Sequence, residues 1–169
     1  MSFDEGFPPV VGGVPRVLIL GSLPSKRSLA DGQYYALPQN AFWPIMCRLF
    51  DADPGLPYAE RQRLLIGRGI ALWDVLAASV RPGSLDSSIV ESTARANDIC
   101  AFVSRYSGIR LICFNGRKAE QLFQRFVLRP DPTGFADIEF LTMPSTSPAH
   151  AALSRDEKYA RWARVLDYL

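Results

Sequence analysis

The groups able to do chemistry in this chain fall in four short stretches. The first joins Gly21-Ser-Leu-Pro-Ser25 to Tyr34-Tyr-Ala-Leu-Pro-Gln-Asn-Ala-Phe-Trp43, with hydroxyls at Ser22 and Ser25, two adjacent phenols and the amide of Asn40. Glycine, serine and proline after an apolar run invite comparison with a phosphate-binding loop, and Lys26 falls near the right place. The comparison fails. A Walker loop needs a second glycine before its lysine so that backbone N–H groups can surround a phosphate, and Ser25 stands there instead. On spacing alone, Asn40 suits an N-cap for a helix starting at Ala41.

The other stretches are shorter. Asp74 closes the run Gly69-Ile-Ala-Leu-Trp-Asp74, where an aspartate either caps a turn or presents a carboxylate to an N–H donor. Phe114-Asn-Gly116 reads as a tight turn into a helix, with Asn115 as its cap. Pro144-Ser-Thr-Ser-Pro-Ala-His150 lies between a strand pattern and a capped helix. It can turn the hydroxyls of Ser145, Thr146 and Ser147, with its N–H groups, toward a phosphate. His150 is the only histidine, and a lone loop histidine serves as readily on the surface as in a site.

Four apolar runs must position these groups. Arg16-Val-Leu-Ile-Leu-Gly21, Gly69 to Asp74, Ile109-Arg-Leu-Ile-Cys-Phe114 and Ile138-Glu-Phe-Leu-Thr-Met143 have the pattern of strands buried on both faces of a parallel sheet. Helical spacing covers Ala41 to Phe50, Tyr58 to Ile66, Ala96 to Tyr106 and Arg117 to Val127. Ser154-Arg-Asp-Glu157 has the capping-box spacing that opens a last helix through Trp162. Strand and helix alternate, which predicts a three-layer α/β/α sandwich with a four-stranded, mainly parallel central sheet in one domain, residues 1–169. Ligands of such sheets bind beyond the carboxyl ends of the strands, where all four stretches fall. Ser22 to Asn40 reads as a long loop without strong periodicity, and residues 1–15, rich in acids and prolines, as a loosely held leader.

Taken in order, the four stretches resemble the motifs of the uracil-DNA glycosylase superfamily, in its hypoxanthine-DNA glycosylase branch, sometimes numbered as the sixth family. The likeness spans residues 21 to about 150. It implies an enzyme that flips a deaminated base out of damaged DNA and hydrolyses its N-glycosidic bond to leave an abasic site. Several branches carry a catalytic Asp or Asn immediately before the proline of the first motif, and here Leu23 stands there. The resemblance then passes the catalytic role to Asn40. An amide is no base near neutral pH, but if the bond breaks largely before water attacks, orienting that water suffices. Tyr34 and Tyr35 sit where relatives set an aromatic ring against the extruded base, Tyr35 being preferred, with Ser22 and Leu23 also at the base. Asp74 stands where uracil-specific relatives read the base with an asparagine. As a carboxylate it would accept the N1–H of hypoxanthine and repel adenine, whose N1 is an acceptor. Ser145 leads the expected phosphate contacts, followed by Thr146, Ser147, His150 and Ser25.

The composition sets limits on other classes. A net charge of +2 permits a polyanionic partner without demanding one. Arg81, Lys26, Arg27 and Arg117 could meet phosphates, and each singly reads equally as a solvated charge. Three dispersed cysteines and one histidine build neither a four-ligand zinc site nor an iron–sulfur cluster, so no metal or other cofactor is expected. No run approaches a membrane span, and free thiols suit a reducing, cytoplasmic setting for a monomer. Two alternatives stay open: uracil excision on the same fold, and a non-catalytic nucleic-acid-binding module. A serine hydrolase is remote, since no G-x-S-x-G elbow is present.

Overall fold

The structure, a computed structural model, describes residues 2–169. The chain opens with a short strand, β1 (Phe3–Glu5), and enters the central sheet at β2 (Val17–Gly21). Three helices follow, α1 (Lys26–Asp31), α2 (Phe42–Leu49) and α3 (Tyr58–Gly67), leading to β3 (Ile70–Asp74), β4 (Leu76–Val80) and the two-residue β5 (Arg95–Ala96). The second half runs α4 (Ile99–Arg105), β6 (Leu111–Asn115), α5 (Arg117–Phe123), β7 (Glu139–Met143) and α6 (Arg155–Trp162).

The four expected strands form one sheet in the order β3-β2-β6-β7, every pairing parallel. Along β2 the side chains alternate between two cores, as the pleat requires. Val17 and Ile19 pack with Phe42, Ile45 and Met46 of α2, Leu65 of α3 and Trp162 of α6. Leu18 and Leu20 pack with Ile99 and Phe102 of α4 and Leu122 and Phe123 of α5. Three layers result. Burying each such side chain contributes roughly 1.5–3 kcal/mol, so polar chemistry is excluded from the strand bodies and confined to their carboxyl ends.

Three features depart from what the sequence suggests. A second sheet, β1-β4-β5, is antiparallel and was not foreseen. The chain swings into it directly from β3, because Val75 N–H donates to the Gly21 carbonyl (2.8 Å) and Leu76 N–H to that of Ser22 (3.1 Å). The stretch from Ser22 to Asn40 is not all loop. It holds α1, capped by Ser25, whose hydroxyl accepts from Ser28 N–H, and closed by Gly32 at φ 65°. Six residues make too few turns to reveal a period.

The third correction concerns the leader. The buried carboxylate of Asp4 accepts from Arg81 Nε and Nη2 (3.1 and 2.9 Å) and pairs with Lys26. Val10 exchanges two backbone hydrogen bonds with Leu72 on the outer edge of β3, and the Trp73 indole donates to the Phe7 carbonyl (3.0 Å). Pro8 and Pro9 lie along this edge, where a missing N–H removes no ladder bond. Far from loose, the segment supplies the counter-ion that lets Arg81 be buried.

Candidate active site

Four chain segments leave the sheet at one end, and the chain from β2 turns toward β3 while that from β6 turns toward β7. Such a divergence opens a crevice between adjacent strands. Here it is a cavity of about 460 Å³, lined by residues 21–25, Tyr34, Tyr35, Asn40, Asp74, Asp86, Asn115 and residues 145–150. Its floor is Gly21, and only glycine fits. A Cβ there would lie 2.5 Å from Asp74 Oδ1 and 3.0 Å from the Tyr35 hydroxyl oxygen. The two polar groups therefore stand together over one Cα.

Tyr35 and Asp74 are the polar centre of this cavity. Tyr35 adopts φ 53°, a left-handed conformation that a tyrosine rarely accepts, and stacks on Phe42 with ring centroids 4.1 Å apart. Its buried hydroxyl oxygen and Asp74 Oδ2 have no hydrogen-bond partner among the described residues. Tyr34 faces elsewhere: its hydroxyl donates to the Pro8 carbonyl (3.0 Å), while its own carbonyl accepts from the Trp43 indole (2.8 Å). It serves as wall and anchor, leaving Tyr35 as the ring that presents a polar atom.

The environment of Asp74 changes its chemistry. Burial first, and then the negative charge of Asp86, push its pKa up to about 8 against the opposing pull of Arg81. Its enclosure thus favours the carboxylic acid over the carboxylate that the sequence suggests. The acid form offers one O–H donor and one carbonyl acceptor. No motif in the sequence around Gly83-Ser-Leu-Asp-Ser-Ser marks Asp86 for the site. Its carboxylate accepts from the Ser22 hydroxyl (2.6 Å), and burial raises its own pKa as well. Ser22 thus holds Asp86 in place at the wall, next to the apolar side chain of Leu23.

Asn40 lies at the cavity mouth, ahead of α2. The N-cap of α2 is Ala41 and not Asn40, whose amide oxygen instead accepts from Phe42 N–H two residues on (2.9 Å) while its side chain lines the cavity. The second lone pair and the amide N–H₂ stay available to a water molecule. Asn115 does not cap α5, whose N-cap is Gly116 without a side-chain bond. Instead its amide exchanges two 2.9 Å hydrogen bonds with Thr146, and the Thr146 carbonyl accepts from Ala41 N–H (2.9 Å). The ends of β6, the 144–150 loop and the start of α2 are thereby locked together.

That lock corrects the role of Thr146, which is turned inward and cannot meet a phosphate. Ser145 and Ser147 remain at the mouth. Each hydroxyl accepts from a backbone N–H two residues on (3.2 Å) and retains its own proton to donate outward. His150 lines the same rim, half-buried. Ser25 is committed to the α1 cap, accepting from Ser28 N–H and donating to Ser28 Oγ. Among the cations, Arg81 and Lys26 are tied to Asp4, with Arg81 also bonded to the Leu23 and Pro24 carbonyls. Arg27 pairs with Asp31 (2.6 Å), and Arg117 is exposed at the start of α5. No three His, Cys, Asp or Glu side chains converge to hold a metal ion among the described residues.

Known proteins are similar to this chain in sequence and fold. The profile of the Uracil DNA glycosylase superfamily matches residues 8–169. A protein of Methanosarcina acetivorans named hypoxanthine DNA glycosylase is 35% identical over 162 residues, 95% of this chain and 96% of its own. One of the same name from Methanosarcina barkeri is 34% identical over 68% of this chain and 72% of its own. The solution NMR structure of a Methanosarcina acetivorans protein described as a candidate uracil DNA glycosylase superposes with a TM-score of 0.80. It is 34% identical and covers 97% of this chain and 96% of that one. With sequence and fold matched over nearly the whole length, this chain belongs to the uracil DNA glycosylase superfamily and is a DNA glycosylase.

Proposed function

We propose that the chain excises hypoxanthine from deoxyinosine in DNA, flipping the nucleotide into the cavity and hydrolysing its N-glycosidic bond to leave an abasic site. The observation that carries this reading is the buried polar pair at Gly21, where Asp74 Oδ1 and the Tyr35 hydroxyl flank the Gly21 Cα. Within that pair Asp74 Oδ2 and the Tyr35 hydroxyl have no hydrogen-bond partner among the described residues. Buried polar atoms without partners are costly, and a site that keeps them is complementary to a ligand that completes them. Hypoxanthine presents a keto oxygen beside an N–H. Protonated Asp74 donates to the first and accepts from the second, and Tyr35 adds another donor to the keto oxygen. Adenine carries an amino group there, which cannot accept from the Tyr35 hydroxyl, and the Asp74 acid would have to turn its proton to N1 to pair with it. The two Methanosarcina proteins named for hypoxanthine, matched over most of the chain, support the same substrate.

The chemistry follows from where charge develops. As the glycosidic bond stretches, the sugar becomes cationic and the base gathers negative charge on its keto oxygen. A neutral acid and a phenol aimed at that oxygen bind it more strongly in the transition state than in the substrate. An ionised Asp74 would oppose it. Asn40 orients the attacking water, and acceptance of Phe42 N–H by its oxygen fits an orienting role better than a basic one. Ser145 and Ser147 hold the phosphate beside the flipped nucleotide. Three free thiols support a reducing, cytoplasmic setting, and a monomer is the form proposed to act there. No helix among the described residues is long and apolar enough to cross a membrane.

Uracil shares the keto and N–H edge and is the competing substrate. The test is base release from duplexes carrying a single inosine or a single uracil, followed by alkaline cleavage of the abasic product. Release from inosine is expected. Activity on uracil alone would refute the substrate, and release from neither would refute catalysis and favour a silent binding module.

A further inference from the structure

One buried charge lies outside the machinery described so far. Lys158, in α6, is only 5% exposed. Among the described residues no carboxylate pairs with it. Its ammonium donates to a single acceptor, the Ser147 carbonyl, at 3.3 Å. Burial and the nearby Arg155 charge both disfavour the protonated form. A cation enclosed without a counter-ion is destabilising, and a methionine of similar length would fill the same space without that penalty.

Lys158 is not needed to hold the loop it touches. The 144–150 loop is already fixed by the Trp162 indole donating to the Pro144 carbonyl (3.0 Å) and by the double bond of Asn115 to Thr146. The loop's half-buried hydroxyls, Ser145 and Ser147, stand at the cavity mouth in an enzyme whose substrate is a polyanion. The ammonium on one side of the loop and the hydroxyl donors on the loop itself together favour negative charge at this rim.

We infer that Lys158 is a positioning residue for DNA, its charge fixing through the 144–150 loop the phosphodiester that Ser145 and Ser147 contact beside the flipped nucleotide. The substrate's phosphodiester then places a negative charge near an ammonium that no carboxylate of the described residues pairs with. This rests on the glycosylase reading and adds to it a residue that touches neither the base nor the water.

The test is equilibrium binding to a duplex containing a tetrahydrofuran abasic-site analogue, which needs no catalysis, across a series of salt concentrations. Each phosphate neutralised contributes about 0.9 to the slope of log affinity against log salt. Lys158→Met is expected to lower that slope by about 0.9, so that its deficit against wild type shrinks about 3- to 4-fold when salt is raised fourfold. Lys158→Arg should keep the wild-type slope, and the melting temperature of Lys158→Met should equal or exceed that of wild type. A wild-type slope in Lys158→Met, or in Lys158→Gln should the methionine form not fold, overturns the inference. So does failure of both variants to fold, which would make the ammonium structural. Loss of the glycosylase reading is separately visible, as wild-type protein releasing no base from inosine or uracil duplexes.

Discussion

Replacing Asp74 by asparagine keeps the shape of the side chain and removes its proton equilibrium. In the folded protein Asp74 holds its proton up to about pH 8, against 3.8 for an ordinary aspartate. Below about pH 4 both folded and unfolded chains carry the proton, and the group does not affect stability. As pH rises further the unfolded chain releases the proton and the folded one does not, so stability falls with pH until the folded form also ionises near pH 8. At about 1.4 kcal/mol for each pH unit, the penalty is about 4 kcal/mol at pH 7. Asparagine carries no such term. Urea unfolding of the two proteins at a series of pH values should therefore show Asp74→Asn gaining on wild type by roughly 1.4 kcal/mol per unit between about pH 5 and pH 8. The constant part of the difference, set by how well a buried amide fits, is irrelevant to this slope.

Catalysis gives an independent reading of the same proton. If the acid form donates to the departing base, kcat/KM for inosine should decline above about pH 8 in wild type, since this ratio reports the free enzyme. In Asp74→Asn, whose amide donates at every pH, that alkaline limb should be absent. A stability difference that is flat with pH would show that Asp74 is ionised in the folded protein. An alkaline limb surviving in the asparagine variant would assign it to another group, and either result refutes the acid-donor mechanism.

Tyr35→Phe removes a buried hydroxyl that lacks a partner, so it should stabilise the free protein by roughly 1–2 kcal/mol in urea unfolding while lowering single-turnover release from inosine about 10-fold or more. Asn40→Ala should lower single-turnover release by about 100-fold or more, and cost about 1 kcal/mol of stability through loss of the bond to Phe42 N–H. Asp4→Asn leaves the fully enclosed Arg81 guanidinium without its charge partner and should destabilise by about 3–5 kcal/mol in the same unfolding assay, although residue 4 is remote in sequence from every motif.

The parts of the fold legible in the sequence are those whose cause is local. β2, β3 and β6 are runs of apolar residues because both faces of each are covered, whereas β7, at the sheet edge, is buried only at Met143 and departs from the strand buried on both faces that its pattern suggests. The capping box at Ser154 is written in four consecutive residues. β4 is hidden because Leu76–Val80 continues almost without break from β3, and what separates them is a pair of backbone bonds to Gly21 and Ser22, some fifty residues earlier. The leader looked unattached for the same reason. Asp4 is buried because Arg81 is, and nothing near either residue in sequence announces the pair.

The site divides along the same line. Asn40, Tyr35, Asp74 and Ser145 could be marked by position within motifs, and all four line one cavity. Their chemical states could not, because a proton's residence depends on what encloses it. Asp74 is acidic or basic according to its distance from water, the charge of Asp86 and the opposing charge of Arg81, and these come from separate loops. A glycine at position 21 permits the enclosure, since any side chain would occupy the place where the Asp74 oxygen and the Tyr35 hydroxyl meet. Thus the same aspartate that sequence presents as an acceptor becomes, once folded, a donor. On the proposed reading the acid form pairs with the keto and N–H edge of hypoxanthine, and the Tyr35 hydroxyl proton is the donor that adenine's amino group cannot accept.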